Sequence, residues 1–365
     1  MRPNRWAGLP GTVFLLVFLA GCGGSGRSSS SPSAHNAYVA IPGANAVGSF
    51  RVKNSGDLSA VLGSPFQGGI SPGSVVAHPS GKLVYAANQG GNDISRFKVD
   101  GSTGELVEVM PRTPAGLNPK ALAMDSGGTL LFVANETSNN ISVYTMGASD
   151  GTLAEIQGSP FPTGAQPVAM AISPSGKFLY VASASLASVF GYSVTSGTGG
   201  LEVVPRSPFA VGSGPFSLVV EPSGHFLYVA NFNANNVSGM TIDSNTGALS
   251  VASPSPFAAG TSPVAVAVHP SGKFLYVANA GSKNISVYSI DSATGVATQL
   301  TGSPFASTNT PVFATMDPGG NFLYVGGQSA NNIIRFQIKQ DTGALPSNAV
   351  AVNTTLSPAA MAFGP

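Results

Sequence analysis

The hexapeptide FLYVAN occupies Phe226–Asn231 and recurs, letter for letter, at Phe274–Asn279. Its close variants are LVYAAN at Leu83–Asn88, LLFVAN at Leu130–Asn135, FLYVAS at Phe178–Ser183 and FLYVGG at Phe322–Gly327. The aromatic residue in its third place, followed along the whole chain, is Tyr38, Tyr85, Phe132, Tyr180, Tyr228, Tyr276 and Tyr324. These seven residues lie 47 or 48 positions apart, and a period of this length predicts a repeat architecture.

Each repeat divides into four segments of strand length, as the repeat that begins at Pro263 illustrates. PVAVAV (Pro263–Val268) is followed by a turn, by FLYVAN, and by ISVYSI (Ile285–Ile290), in which apolar and polar residues alternate. A weaker fourth strand ends at SPF (Ser303–Phe305), and no stretch of ten residues shows the helical period. Four antiparallel strands repeated seven times predict an all-β fold, a seven-bladed β-propeller.

The position of each strand in a blade follows from the size of its residues. The first strand is rich in alanine, so we expect it next to the crowded central axis, with FLYVAN second and covered on both faces. The repeat region begins at His35 with a second strand (Tyr38–Ala40) and ends with a first strand (Pro358–Phe363). We therefore expect the C-terminal strand to join the N-terminal blade, which leaves no open edge.

The first residues have the layout of an export signal, with Arg2 and Arg5 ahead of the apolar run Thr12–Ala20. LAGC (Leu19–Cys22) resembles the lipobox of bacterial lipoproteins, in which the cysteine is lipidated and becomes the mature N-terminus. Cys22 is the single cysteine of the chain, which excludes an internal disulfide. The alternative is an ordinary signal peptide with an unmodified thiol.

This interpretation divides the chain into a signal peptide (1–21), the lipidated Cys22 with a Gly/Ser-rich tether (22–34), and the propeller (35–365). Lipoproteins are sorted to the outer membrane unless Asp follows the cysteine, and here Gly23 follows it. The expected location is therefore the bacterial cell envelope, with the propeller on the periplasmic or the surface side. We expect contact with the membrane through the lipid anchor only.

The charge of the protein is nearly balanced. The net charge is +1 and charged residues make up 8% of the chain, which argues against binding of nucleic acid. The sequence has no H-x-H, H-E-x-x-H, C-x-x-C or P-loop motif, so no metal and no cofactor are predicted. We expect a monomer.

Asparagines recur at the end of the second strand and just before the third. They are Asn88, Asn135, Asn231 and Asn279 at the first place, and Asn140, Asn236 and Asn284 at the second, with Asn92 close to it. Asparagine caps tight turns, which gives a structural interpretation. In the other interpretation these amides form a rim that binds a small hydroxylated ligand.

Glu136 is the one carboxylate that directly follows an asparagine ending a second strand. Its counterparts in other repeats are Gln89, Ala184, Phe232, Ala280 and Gln328. A carboxylate near the mouth of a propeller is a candidate general base, and a solvated loop charge is the alternative.

Repeats of the form PSGKFLYVAN, seven in number, resemble those of the lactonase-family propellers, which include bacterial 6-phosphogluconolactonases and fungal carboxymuconate cyclases. They are also similar to the YVTN-repeat propellers of surface proteins. In the enzymatic members one blade carries P-R-H, followed fifteen residues beyond the His by N-E. The resemblance places Lys120 at the Arg, Ala121 at the His and Asn135-Glu136 at the N-E pair. Where those enzymes carry D-L-G-x-D, this chain has Asn88-Gln89-Gly90-Gly91-Asn92.

The resemblance implies a lactonase, whereas the missing His and acids imply a reduced catalytic set. The first hypothesis is therefore a lipid-anchored propeller that binds a ligand or partner without turnover. The second is a lactone hydrolase acting on a non-phosphorylated sugar lactone or another lactone, in which Glu136 polarises water and Lys120 stabilises the oxyanion. The third is a structural surface propeller without a small-molecule site.

Overall fold

Seven antiparallel sheets follow one another along the chain and surround a central channel in the computed structural model. The structure describes residues 35–307, 309–328, 330–346 and 349–365. The predicted signal peptide, Cys22 and the tether lie outside the described residues. The predicted seven-bladed β-propeller is confirmed. In the described part of the chain the one helical element is a 3₁₀ turn at Pro42–Ala44, and no helix has the length and apolar character needed to cross a bilayer.

Every blade contains four principal strands, and the blades are numbered here from the N-terminus. For blades 1 to 7 in order, the first strands are Ala360–Phe363, Pro72–Ala77, Pro119–Met124, Pro167–Ile172, Pro215–Val220, Pro263–Val268 and Pro311–Met316. The second strands are Asn36–Ile41, Leu83–Asn88, Leu130–Asn135, Phe178–Ser183, Phe226–Asn231, Phe274–Asn279 and Phe322–Gly327. The third strands are Ala46–Val52, Asp93–Val99, Asn140–Met146, Ser188–Val194, Asn236–Ile242, Asn284–Ile290 and Asn332–Gln337. The fourth strands are Leu58–Ala60, Leu106–Glu108, Leu153–Glu155, Leu201–Val203, Leu249–Val251, Ala297–Gln299 and Val350–Asn353.

Blades 1 to 6 contain in addition a strand of two residues, which pairs with the start of the third strand. These short strands are Phe66–Gln67, Thr113–Pro114, Phe161–Pro162, Phe209–Ala210, Phe257–Ala258 and Phe305–Ala306. The sequence placed SPF at the end of the fourth strand, whereas the structure separates it as this fifth segment. Its serine has a structural role, since the Ser303 hydroxyl accepts a hydrogen bond of 2.9 Å from the backbone N–H of Val287.

The two ends of the chain meet in blade 1, as predicted. Ala360–Phe363 pairs antiparallel with Asn36–Ile41, in the register Ala37 to Phe363 and Ala40 to Ala360. Side chains reinforce the neighbouring seam between blades 7 and 1, because Arg335 forms an ion pair of 3.2 Å with Asp57. The ring is therefore closed by a strand ladder in which both termini of the propeller take part.

The FLYVAN strand is buried on both faces, which explains its continuous apolar sequence. In blade 5, Phe226, Tyr228 and Ala230 pack against blade 6, whereas Leu227 and Val229 pack against blade 4. Burial of each large side chain stabilises the fold by about 1.5–3 kcal/mol. One blade alone cannot bury this strand, so stability requires the assembled ring.

In five of the seven blades the tyrosine of the repeat also joins its blade to the next by a hydrogen bond. The Tyr228 hydroxyl donates to the carbonyl of Gly295, 2.8 Å away in blade 6. The equivalent bonds join Tyr85 to Gly151, Tyr180 to Gly247, Tyr276 to Gly343 and Tyr324 to Gly56. Gly295 adopts a φ of +71°, and a Cβ there would lie 2.2 Å from the Phe226 ring. The turn therefore requires glycine.

Replacement of one of these tyrosines tests the inter-blade hydrogen bond. Tyr228→Phe leaves a buried carbonyl without its donor, so we expect it to lower the free energy of unfolding by about 1 kcal/mol. Blade 3 offers the reciprocal control, because Phe132 has no hydroxyl to donate to Gly199. Phe132→Tyr is expected to raise stability by up to about 1 kcal/mol. Midpoints of denaturant unfolding measure both changes, and unchanged midpoints for the pair would contradict the assignment.

The tyrosines also predict how the fold responds to alkaline pH. Burial raises the pKa of all nine tyrosines above the ordinary value of 10.0, and raises it to about 12 for Tyr85 and Tyr144. A pKa raised in the folded state stabilises the fold fully below pH 10, and this contribution is lost as the pH rises towards 12. We expect the phenolate absorbance to appear together with unfolding, above pH 10. A phenolate signal near pH 10 from a chain with native circular dichroism would refute this.

Candidate functional site

A cavity of about 720 Å³ opens at the end of the channel where the first strands begin and the second strands end. Its volume lies within the range typical of small-molecule sites, roughly 300–1,000 Å³. Among the lining residues that the structure describes, Lys120 alone is charged. The other polar lining residues are Ser74, Gln89, Ser217, Gln328, Asn331 and Ser357. We call this cavity the mouth.

In blades 2 to 7 a β-bulge at the start of the first strand directs side chains into the mouth. In blade 3 the ladder pairs Pro119 with Asn135 and then Ala121 with Ala134, so Lys120 has no ladder partner. Blades 2 and 4 to 7 show the same register shift after the opening proline. The bulged residues, with Ala359 in the same place in blade 1, are Gly73, Lys120, Val168, Phe216, Val264 and Val312, and all of them line the mouth.

Each bulged residue has a partner in its own blade, the residue that follows the second strand. The ladder ends at the proline–asparagine pair, so the next residue of the second strand comes to lie beside the bulge. In blade 3 the two are Lys120 and Glu136. In blade 5 they are Phe216 and Phe232, whose ring centroids lie 5.8 Å apart. We call these positions the mouth pairs.

The charged mouth pair is held by a third residue. Lys120 Nζ lies 3.6 Å from Glu136 Oε2, and the Asn118 Nδ2 donates to the same oxygen at 2.8 Å. Asn118 itself adopts a left-handed φ of 54°, and its backbone N–H donates to Asn92 Oδ1 of blade 2 at 2.8 Å. An ammonium and a carboxylate thus lie side by side. Asn118 connects the carboxylate to Asn92 of blade 2 and so helps to fix its position.

The two predicted catalytic residues are brought together, but they face different spaces. Lys120 lines the mouth, whereas Glu136 lines an open cleft of about 490 Å³ towards blade 4, together with Asn118 and Gln166. Their side chains are 32% and 23% exposed, so both remain accessible to solvent. The pair can offer a hydrogen-bond donor with positive charge to a ligand in the mouth, with a carboxylate at its edge.

The asparagines that end the second strands do not lie on the surface. Asn88, Asn135, Asn231 and Asn279 are 0% exposed. The Asn231 side chain is linked to Asn236 at 2.7 Å and to Ser238 at 2.9 Å. The same arrangement links Asn135 to Asn140, Asn279 to Asn284 and Asn88 to Asp93. This corrects the predicted rim, because these amides hold the second and third strands together inside the blade.

The remaining rim residues are also engaged within the fold. Asn140, Asn236 and Asn284 are half-buried and lie beside the buried asparagines of their blades. Asn92 accepts the backbone N–H of Asn118, and Asn139 and Asn235 accept the equivalent bonds from Gln166 and Ser262. The asparagine pattern therefore serves strand pairing and blade-to-blade contact.

On the opposite face, a cleft of about 630 Å³ lies between blades 5 and 6. It contains Ser223, whose hydroxyl donates to the buried Glu221 and lies 3.0 Å from His225 Nδ1. Ser271 occupies the equivalent turn of blade 6 and contacts His269 Nδ1 at 2.8 Å. In both repeats the serine is hydrogen-bonded to the residue two places before it, Glu221 or His269, and we therefore assign the serine to the turn between the first and second strands.

The sequence does not single out Phe216 and Gln328, which line the mouth, or Asn118, which binds Glu136. A signal for them exists in the repeat itself. At the bulge position the residue type changes from Gly to Lys, Val and Phe along the chain, whereas the neighbouring hexapeptide barely changes. Positions that vary within an otherwise uniform repeat are typical of a binding face.

Comparisons with known proteins agree with the seven-bladed fold. The family model described as "Lactonase, 7-bladed beta-propeller" matches residues 31–168, 156–255 and 251–358. The comparison with curated proteins gives no significant match.

Three solved structures share the fold of the chain. The periplasmic gluconolactonase of Pseudomonas aeruginosa is 19% identical, with a TM-score of 0.77 over 91% of this chain and 99% of that one. A protein of Bacteroides fragilis proposed to be a 6-phosphogluconolactonase is 21% identical, with a TM-score of 0.79 over 93% and 100% of the two chains. A protein from Lactobacillus plantarum is 18% identical, with a TM-score of 0.76 over 90% and 99%.

Proposed function

The chain belongs to the lactonase family of seven-bladed β-propellers, and from this premise we propose that it binds a small lactone or hydroxy-acid ligand in the mouth without turnover. The observation that carries the proposal is the ring of mouth pairs. These positions differ from blade to blade in a chain whose other positions repeat closely. A cavity lined by one ammonium and a few amides and hydroxyls suits a ligand that presents carbonyl or carboxylate oxygens.

The residues around Lys120 support binding rather than catalysis. Ala121 lines the mouth at the place where the family resemblance puts a histidine, and a methyl group transfers no proton. Asn88 and Asn92, which replace the two acids, are both engaged within the fold. Glu136 is then the single carboxylate beside the mouth, and it is already paired with Lys120 and Asn118.

Lactone hydrolysis is the second candidate, favoured by the 3.6 Å separation of Lys120 Nζ and Glu136 Oε2. In this reaction Glu136 takes a proton from water as the water oxygen attacks the carbonyl carbon. Lys120 stabilises the oxyanion that forms. The ring C–O bond then breaks, and the proton passes from Glu136 to the departing alkoxide, giving the hydroxy acid.

The proposal also includes export and attachment to the membrane. The support is the sequence LAGC (Leu19–Cys22), which combines the lipobox spacing with the single cysteine of the chain. A related propeller of the same fold is named a periplasmic gluconolactonase, which is consistent with a family member acting in the cell envelope. We propose that the propeller is anchored through Cys22 and exposes its mouth to envelope solutes.

Binding and turnover are measured with the same two lactones, δ-gluconolactone and γ-butyrolactone, and with their hydroxy acids. We expect binding by calorimetry, with hydrolysis no faster than the uncatalysed rate. Lys120→Gln removes a charge-assisted hydrogen bond and should weaken binding by about 10- to 100-fold. Lys98→Gln is the matched control, because Lys98 is exposed on the third strand of blade 2.

The outcomes separate the three hypotheses. Hydrolysis above background that is lost in Glu136→Gln would overturn binding without turnover and establish the hydrolase. Absence of any binding, together with an unchanged melting temperature for all four compounds, would favour a structural propeller.

Cys22→Ala tests the anchor independently of the mouth. A thioether-linked lipid on Cys22 should keep the wild-type protein in the membrane fraction of the native bacterium. We expect Cys22→Ala to carry no fatty-acid label and to be lost from the membrane fraction. Equal labelling and equal membrane recovery of the two proteins would contradict the lipid anchor.

A further inference from the structure

The mouth pairs are not distributed evenly around the channel. Three of them carry amide or charged groups: Lys120 with Glu136 in blade 3, Gly73 with Gln89 in blade 2, and Val312 with Gln328 in blade 7. Gln89 lies directly over Gly73, since a Cβ on this glycine would be 2.1 Å from Gln89 Nε2. One side of the mouth, from blade 7 to blade 3, therefore holds all the polar side chains of the mouth pairs, and blade 1 adds the apolar Ala359 and Leu356 between them.

The three pairs of blades 4, 5 and 6 are apolar. They are Val168 with Ala184, Phe216 with Phe232, and Val264 with Ala280. The last two pairs touch, because Phe232 and Ala280 pack against the cluster that contains Val264. A mainly apolar wall thus runs along this side of the mouth. Its one hydroxyl, that of Ser217, accepts a hydrogen bond of 3.2 Å from the backbone N–H of Val266.

Phe216 is the centre of this wall and is 41% exposed. Among the described phenylalanines and tyrosines it is the one with so large an exposed fraction. An aromatic ring left in water at the lining of a cavity offers apolar area that a ligand can cover. The bulge places it there, since the same backbone position presents Lys120 two blades earlier.

We infer that the ligand of the mouth is amphipathic, with an oxygen-bearing head beside Lys120 and an alkyl, acyl or aryl substituent that covers Phe216 and Val264. The inference rests on the proposed function and adds the class of ligand to it. A volume of about 720 Å³ accommodates both parts. A ligand with hydroxyls all around its ring fits less well, because hydroxyls against Phe216 and Val168 would lose their water partners without replacement.

A series of γ-lactones with one head and growing side chains tests the inference on the purified protein. The probes are γ-butyrolactone, γ-octalactone with a butyl chain, and γ-decalactone with a hexyl chain, compared with δ-gluconolactone. Each buried methylene increases affinity by up to about fourfold. We expect γ-octalactone to bind at least tenfold more tightly than γ-butyrolactone, and δ-gluconolactone to bind more weakly than γ-octalactone.

Phe216→Ala should abolish most of the gain with chain length while leaving the affinity for γ-butyrolactone nearly unchanged. Val203→Ala is the matched control, because Val203 is 63% exposed on the fourth strand of blade 4 and lies outside the mouth. Circular dichroism and the melting temperature verify that both variants fold.

Equal affinity along the series, or tighter binding of δ-gluconolactone, would overturn the inference and leave the proposed function standing. A gain with chain length that persists in Phe216→Ala would also overturn it, since the chain would then bind elsewhere. If neither the wild-type protein nor Lys120→Gln binds any of the probes, the proposed function and the inference fail together.

Discussion

Burial of the second strand on both faces is the constraint on which the rest of the structure depends. The first, third and fifth residues of its hexapeptide pack against the next blade and the second and fourth against the preceding one, so no blade is complete without two neighbours. The ring must therefore close, and the pairing of Ala360–Phe363 with Asn36–Ile41 closes it. The tyrosine hydroxyls that reach Gly295 and its equivalents add a fixed polar contact at each of five seams.

This constraint also determines where the chain is free to vary. Within the blades, changes in the hexapeptide would open cavities or leave polar groups without partners. At the bulge after the opening proline the backbone leaves the ladder, and the side chain enters the mouth without affecting the seam. Lysine, phenylalanine, valine and glycine are all accommodated there. The site is thus built from the positions at which a change of side chain disturbs the packing of the blades least.

The period of the sequence was sufficient to predict the fold, because the spacing of Tyr85, Tyr228 and their equivalents reflects a real structural unit. Alanine-rich first strands and the half-blades at the two ends also led to the correct order and closure. The site was harder to predict, since a β-bulge has no sequence signature beyond its proline. A ligand-binding rim that includes Asn135 and Asn231 is one of two interpretations of the sequence, because a sequence does not distinguish a buried amide from an exposed one.

The pairing of Lys120 with Glu136 was suggested by family resemblance, whereas the pairing of Phe216 with Phe232 required the structure. The most direct measurement of the central claim is a crystal structure of the protein with γ-octalactone or its hydroxy acid. The account predicts one ligand in the mouth, with its oxygens near Lys120 Nζ and its alkyl chain over Phe216. Ligand density in the opposite cleft beside His225, with the mouth filled by water alone, would contradict it.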